Sequence, residues 1–213
     1  MRVLFLSTWF PFPLSQGSKI RAYHLIKAVA RNHDSALISF ADARLDPSWV
    51  DHMRQFCDPI RLVERNPFAT TPLGNLMGWF SLQPSFVRSA YSGEMVSLVR
   101  RFAAQWKPDK LVAFTFVAGS YASAAGDVTK VIDVDNFMSQ MMYEACKDAT
   151  GISARARKYL AWQKFLHYEK QLYRRFDRCL TVTERDRTLL VEQLDLDPGR
   201  VAVIPNGVDI SYN

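Results

Sequence analysis

Short apolar runs alternate with amphipathic stretches along almost the whole chain, and this alternation restricts the possible folds more than any other feature. Residues 2–7, 35–40, 60–64, 107–116, 130–134, 178–183 and 200–204 each carry the aliphatic and aromatic side chains of a short buried strand. Between them, apolar residues recur at helical spacing, as in Ile20, Tyr23, Leu25, Ile26, Val29 and Ala30. Similar patterns predict helices over 47–56, 93–106, 118–125, 137–145, 153–175 and 184–193. A strand that is apolar on both sides needs cover on both sides. The pattern therefore predicts the α/β class, an open parallel sheet with helices on both faces. Residues 65–91 break the rhythm, with Pro67, Pro72, Gly74, Gly78 and Pro84 set among aromatics, and read as a loop with short helical pieces.

With 213 residues, 48% of them hydrophobic, the chain can bury a sizeable core as one large domain. Cys57, Cys146 and Cys179 form no CxxC pair and no metal-ligand spacing, so they read as reduced, buried thiols. Residues 1–10 begin like a signal peptide, but the apolar run is short and is broken by Ser7, Thr8 and Pro11; it reads as a first strand. No window approaches the ~20 apolar residues of a membrane span, which points to a soluble, cytoplasmic protein. The net charge of +6 favours an acidic partner without choosing among nucleic acid, an anionic membrane and phosphorylated small molecules. No GxSxG, Walker loop, HExxH or RNA-binding aromatic signature is present, which disfavours nucleophilic hydrolysis, nucleotide hydrolysis and zinc proteolysis.

In an open parallel sheet the loops leaving the carboxyl ends of the strands converge on a crevice, where helix N-termini offer free N–H groups. Candidate residues are therefore sought after Ser7, Phe116, Val134, Thr183 and Ile204. Gly17 opens the first helix and lets a phosphate or sugar approach the backbone, or simply permits a turn; Ser18 is placed to cap that helix. Lys19 and Arg21 lie near the same start, where a cation opposes the helix dipole and faces either an anion or solvent. In "VIDVDN", Asp133 and Asp135 are two apart and share one face of an extended segment. Asp135, near the carboxyl end, can bind a hydroxyl, a metal or developing positive charge; alternatively Asp135 or Asn136 caps the next helix. Residues 153–178 hold eight basic residues against Glu169 and Asp177, with aromatics between them. That composition fits either an anionic membrane surface or a helix that packs its rings inward and leaves its cations in water. His24 and His167 lie inside helical patterns and read as structural.

The order of "MRVLFLSTWFPFPLSQGSKIRAYHLIKAVAR", "VIDVDN", "RCLTVTERDR" and "VAVIPNGVD" resembles the N-terminal half of retaining glycosyltransferases of family 4, which have the GT-B fold. It is most similar to the bacterial sugar transferases associated with exopolysaccharide gene clusters. The resemblance implies a Rossmann-like acceptor-side domain over 1–204 and the start of an interdomain connector over 205–213. A second, donor-binding domain lies outside these residues, so that the first half alone is inactive. It implies that Gly17 borders the donor phosphates, although Ser18 stands where a second glycine is frequent. It implies that Asp135, where many members have a histidine, is catalytic. Ser18, Lys19 and Asp133 fall beside these positions, and Thr183, Glu184, Asn206 and Gly207 match residues lining the cleft. The implied donor is a nucleoside-diphosphate sugar, with no cofactor and no metal; the DxD spelling of 133–135 belongs to the metal clamp of a different topology. The acceptor is a glycan or lipid-linked, and its choice is expected to lie in residues 65–91 and the basic helix. Peripheral association with the inner membrane face is implied, and no nucleic-acid partner. Two other readings stay open, a nucleotide-sugar 2-epimerase of the same architecture and a non-catalytic partner subunit.

Overall fold

The computed structural model of the chain describes residues 1–68 and 84–207. Seven strands, β1 (Arg2–Ser7), β2 (Asp34–Ala41), β3 (Ile60–Glu64), β4 (Lys110–Phe114), β5 (Thr129–Val134), β6 (Arg178–Thr181) and β7 (Val201–Val203), form one sheet in the order β3-β2-β1-β4-β5-β6-β7. Every neighbouring pair is parallel. The helices are α1 (Gly17–Ala30), α2 (Pro47–Arg54), α3 (Ser85–Ala90), α4 (Gly93–Trp106), α5 (Thr115–Gly119), α6 (Met138–Lys147), α7 (Ile152–Tyr173) and α8 (Glu184–Leu194). The α/β class expected from the sequence is the class observed. Of the irregular stretch 65–91, residues 69–83 lie outside the described residues, as do 208–213 of the expected connector.

β1 shows why both faces are covered. Val3 and Phe5 enter one apolar cluster with Tyr23 and Ile26 of α1 and Met53 of α2, while Leu4 and Leu6 enter a second with Val99 and Phe102 of α4 and Phe165 and Leu172 of α7. The two-residue period of a strand sends alternate side chains to opposite sides, and each side is closed by its own helices. Each large apolar side chain so buried contributes about 1.5–3 kcal/mol. The three cysteines are buried free thiols, and burial pushes Cys57 and Cys179 up to about 12. Among the described residues no helix is long and apolar enough to cross a membrane.

Strand ends depart from the sequence reading. β4 stops at Phe114, two residues early, because Thr115 takes a φ of 71° and turns the chain directly into α5. β6 stops at Thr181, because Thr183 is the N-cap of α8, its Oγ1 accepting from the Asp186 N–H at 3.0 Å. β7 ends at Val203, leaving Ile204 on the exposed side of the junction. Hence the functional loops begin after Phe114, Thr181 and Val203, not after Phe116, Thr183 and Ile204.

The pairing of α6 with α7 encloses a carboxylate. Glu169 is fully buried; it accepts hydrogen bonds from Ser139 N at 3.1 Å, from Ser139 Oγ, and from Tyr173 Oη at 3.0 Å. Burial outweighs these bonds and pushes Glu169 up from 4.5 to about 7. The folded protein therefore holds an extra proton between about pH 4.5 and pH 7, so the Glu169 contribution to stability is present below that window and is lost as pH rises through about 7. Glu169→Gln removes this slope. Urea unfolding at pH 5 and pH 8 should show wild type losing up to about 3 kcal/mol more than the variant; parallel losses would contradict the assignment.

Candidate functional site

The strand order reverses between β1 and β4, and their carboxyl ends mark the point where a crevice opens in such a sheet. Two threonines join those ends. Thr8 Oγ1 donates to the Phe114 carbonyl at 3.2 Å, lies 2.8 Å from Thr115 Oγ1, and accepts from Ala118 N at 3.2 Å. A β-branched residue at φ 71° carries strain of about 1–3 kcal/mol, and it is the Thr8 hydroxyl that ties the surrounding backbone in place. Sequence reasoning missed both threonines, since neither residue type signals a left-handed backbone.

Near its N-terminal end, α1 reaches β5 through one side chain. Arg21 is buried, and its guanidinium meets Asp133 through Nε at 2.9 Å and Nη2 at 2.7 Å. Nη1 reaches the Ile204 carbonyl at 2.8 Å and Asn206 Oδ1 at 2.9 Å. One side chain thus pins α1 to β5 and to the segment leaving β7. The sequence left Arg21 facing a ligand anion or solvent; its anion is a protein carboxylate. Asp133, expected in the substrate-binding set, has both oxygens on Arg21 and is 1% exposed. Burial raises its carboxyl from the ordinary range, while the guanidinium pulls it back.

One turn earlier on α1, Ser18 Oγ donates to Asp135 Oδ2. Residues 18 and 21 lie on one helix face, and Asp135 leaves the end of β5 two residues after Asp133, so the two pairs fit side by side. Neither sequence expectation of capping holds here. Gln16 occupies the N-cap of α1 with no side-chain hydrogen bond, and Ser18, two residues further on, gives its hydroxyl to Asp135; Phe137 occupies the N-cap of α6, so Asp135 and Asn136 cap nothing. Asp135 remains partly exposed, with Asn136 Nδ2 3.4 Å from the same oxygen.

A cleft of about 520 Å³ brings together Gly17, Ile20, His24, Pro205, Asn206 and Gly207. Gly17 has no positive φ, and a Cβ built on it meets nothing within 4 Å, so what the missing side chain leaves is open space at an uncapped helix start. The first-turn N–H groups of α1 are accordingly suited to an anion. Lys19 is half-buried on that turn. Thr183 and Glu184 lie at the carboxyl end of β6; Thr183 is committed to capping α8, and Glu184 is exposed in its first turn. His24, read as structural, is exposed and lines the cleft. Among the described residues no group of three or more His, Cys, Asp or Glu is placed to hold a metal.

Residues 16–207 match the glycosyl transferase 4-like domain. The chain belongs to that family. No curated protein sequence matches it. Solved structures share the fold of this glycosyl transferase 4-like domain. A glycosyltransferase from Rickettsia africae superposes with a TM-score of 0.54 at 13% identity, over 99% of this chain and 44% of its own. A UDP-glucosyltransferase from Polygonum tinctorium, in complex with 3,4-dichloroaniline and capable of glucosylating indoxyl, gives 0.55 at 13% identity, over 97% and 52%. Phytolacca americana UGT2, complexed with UDP-2-fluoro-glucose and pterostilbene, gives 0.53 at 10% identity, over 100% and 54%. The chain spans about half the length of these proteins.

Proposed function

We propose that the chain is the acceptor-side domain of a GT-B glycosyltransferase that moves a sugar from a nucleoside-diphosphate sugar to a glycan or lipid-linked acceptor, with retention. The observation carrying this reading is the Ser18–Asp135 hydrogen bond beside the uncapped start of α1. The open N–H groups and Gly17 receive the donor diphosphate, and Lys19 adds positive charge there. Asp135 accepts sugar hydroxyls and stabilises positive charge as the anomeric carbon becomes oxocarbenium-like, with Ser18 holding its orientation. The bond from anomeric carbon to phosphate oxygen breaks, the acceptor oxygen bonds to that carbon on the same face, and the acceptor proton passes to the departing phosphate. The protein's part is to place reactants and balance charge. Asn206 and Gly207 form the wall through which a second domain would approach. Transfer of labelled sugar from a panel of nucleotide-sugars tests the reading, loss of transfer in Asp135→Asn being the expected result.

The composition of α7 supports the proposed acceptor and location. Ile152 is 91% exposed and Leu160 58%, beside Arg155, Arg157 and Lys158, and residues 149–168 contain no acidic side chain. Apolar residues and cations together suit the cytoplasmic face of an anionic bilayer. Flotation with phosphatidylglycerol-rich vesicles should fall about tenfold or more in Arg157→Glu/Lys158→Glu, at about 1 kcal/mol per charge near the surface. Unchanged binding would remove the membrane from this account.

A further inference from the structure

A second concavity lies on the face of the sheet opposite α1. A pocket of about 530 Å³ opens between α3 and the C-terminal half of α7. Arg88 and Tyr91 stand on one wall, and His167, Tyr168, Gln171 and Arg175 on the other. No carboxylate lines it among the described residues. The nearest acid on α7, Glu169, turns inward to Ser139 and Tyr173. Tyr168 Oη is buried and makes no hydrogen bond among the described residues. Its burial favours the protonated phenol, and the Arg175 charge acts on the same hydroxyl. A buried hydroxyl without an acceptor is unfavourable, and here it lies within the field of the Arg175 guanidinium.

We propose that this pocket binds a phosphate ester. Donors from Arg175, a phenol and the His167–Gln171 pair match an anion with several acceptor oxygens, and Val87 and Leu172 add apolar wall for the esterified group. The pocket is walled by both segments in which acceptor choice was expected, 65–91 and the basic helix. We therefore assign the phosphate to the acceptor; that assignment rests on the glycosyl-transfer reading, whereas the phosphate site does not.

Calorimetric titration of the chain with inorganic pyrophosphate, without donor, tests the site. Arg175→Gln should weaken binding about tenfold, and Tyr168→Phe about fivefold while leaving Tm equal or higher, because an unpaired buried hydroxyl is removed. Ser18→Ala, near the start of α1 on the other face, should leave this affinity unchanged. Absent binding, or binding untouched by Arg175→Gln, would overturn the proposal. Tighter binding of a short prenyl phosphate than of glucose 1-phosphate, sensitive to Arg175→Gln, would identify a lipid carrier; the reverse preference would support the phosphate site with a soluble ester. Intact phosphate binding in a protein that transfers no sugar would overturn the acceptor assignment alone.

Discussion

Arg21→Ala should lower stability by about 3–5 kcal/mol, the cost of leaving a buried carboxylate without its partner. At about 2–4 °C per kcal/mol for a domain of this size, that is a fall in Tm of roughly 6–20 °C. The reason is geometric. Arg21 and Asp133 have side chains only 4% and 2% exposed, and the guanidinium cannot shed its proton to escape the low-dielectric site. The same substitution frees the Ile204 carbonyl and Asn206 from α1. Removing both charges is milder than removing one, so Arg21→Met/Asp133→Leu should be more stable than Arg21→Ala. Urea unfolding of the singles and the double reads this directly. A loss under about 1 kcal/mol for Arg21→Ala, or a double equal to the sum of its singles, would contradict the pin.

Asp135→Asn should act on chemistry and leave the fold alone. Asp135 is partly exposed and caps no helix, so its Tm should stay within about 2 °C of wild type. Transfer should fall about 10²–10³-fold in kcat, the scale on which one preorganised group stabilising transition-state charge is felt. Ser18→Ala, which removes only the hydroxyl orienting that carboxylate, should cost about tenfold. A fall in KM-dependent binding with kcat intact would assign Asp135 to ground-state recognition instead.

The architecture was legible where local pattern decides it. β3 and α4 have the bounds that periodicity and flanking prolines and glycines indicate, Ile60–Glu64 and Gly93–Trp106. The placement of Asp135 followed from its position at a strand's carboxyl end. What local pattern could not give were contacts between residues far apart in the chain. Ser18 looks like a helix cap, yet its hydroxyl is taken by a carboxylate 117 residues away. Arg21 looks like a surface cation until a partner 112 residues on is placed beside it. Thr115 bears no mark of its positive φ, which moved the end of β4 and the loop that follows. Asp133 and Asp135 read alike as a pair, but strand depth divides them: the inner one is buried against Arg21, and the outer one is partly exposed and bonded to Ser18.

The most direct test of glycosyl transfer uses protein expressed from the whole reading frame, a panel of labelled nucleoside-diphosphate sugars, and membrane extract as acceptor, with Asp135→Asn beside wild type. The account predicts acceptor-dependent transfer from one donor, with anomeric configuration kept, and loss of that transfer in the variant. No transfer from any donor, or conversion of the donor sugar without an acceptor, would contradict it.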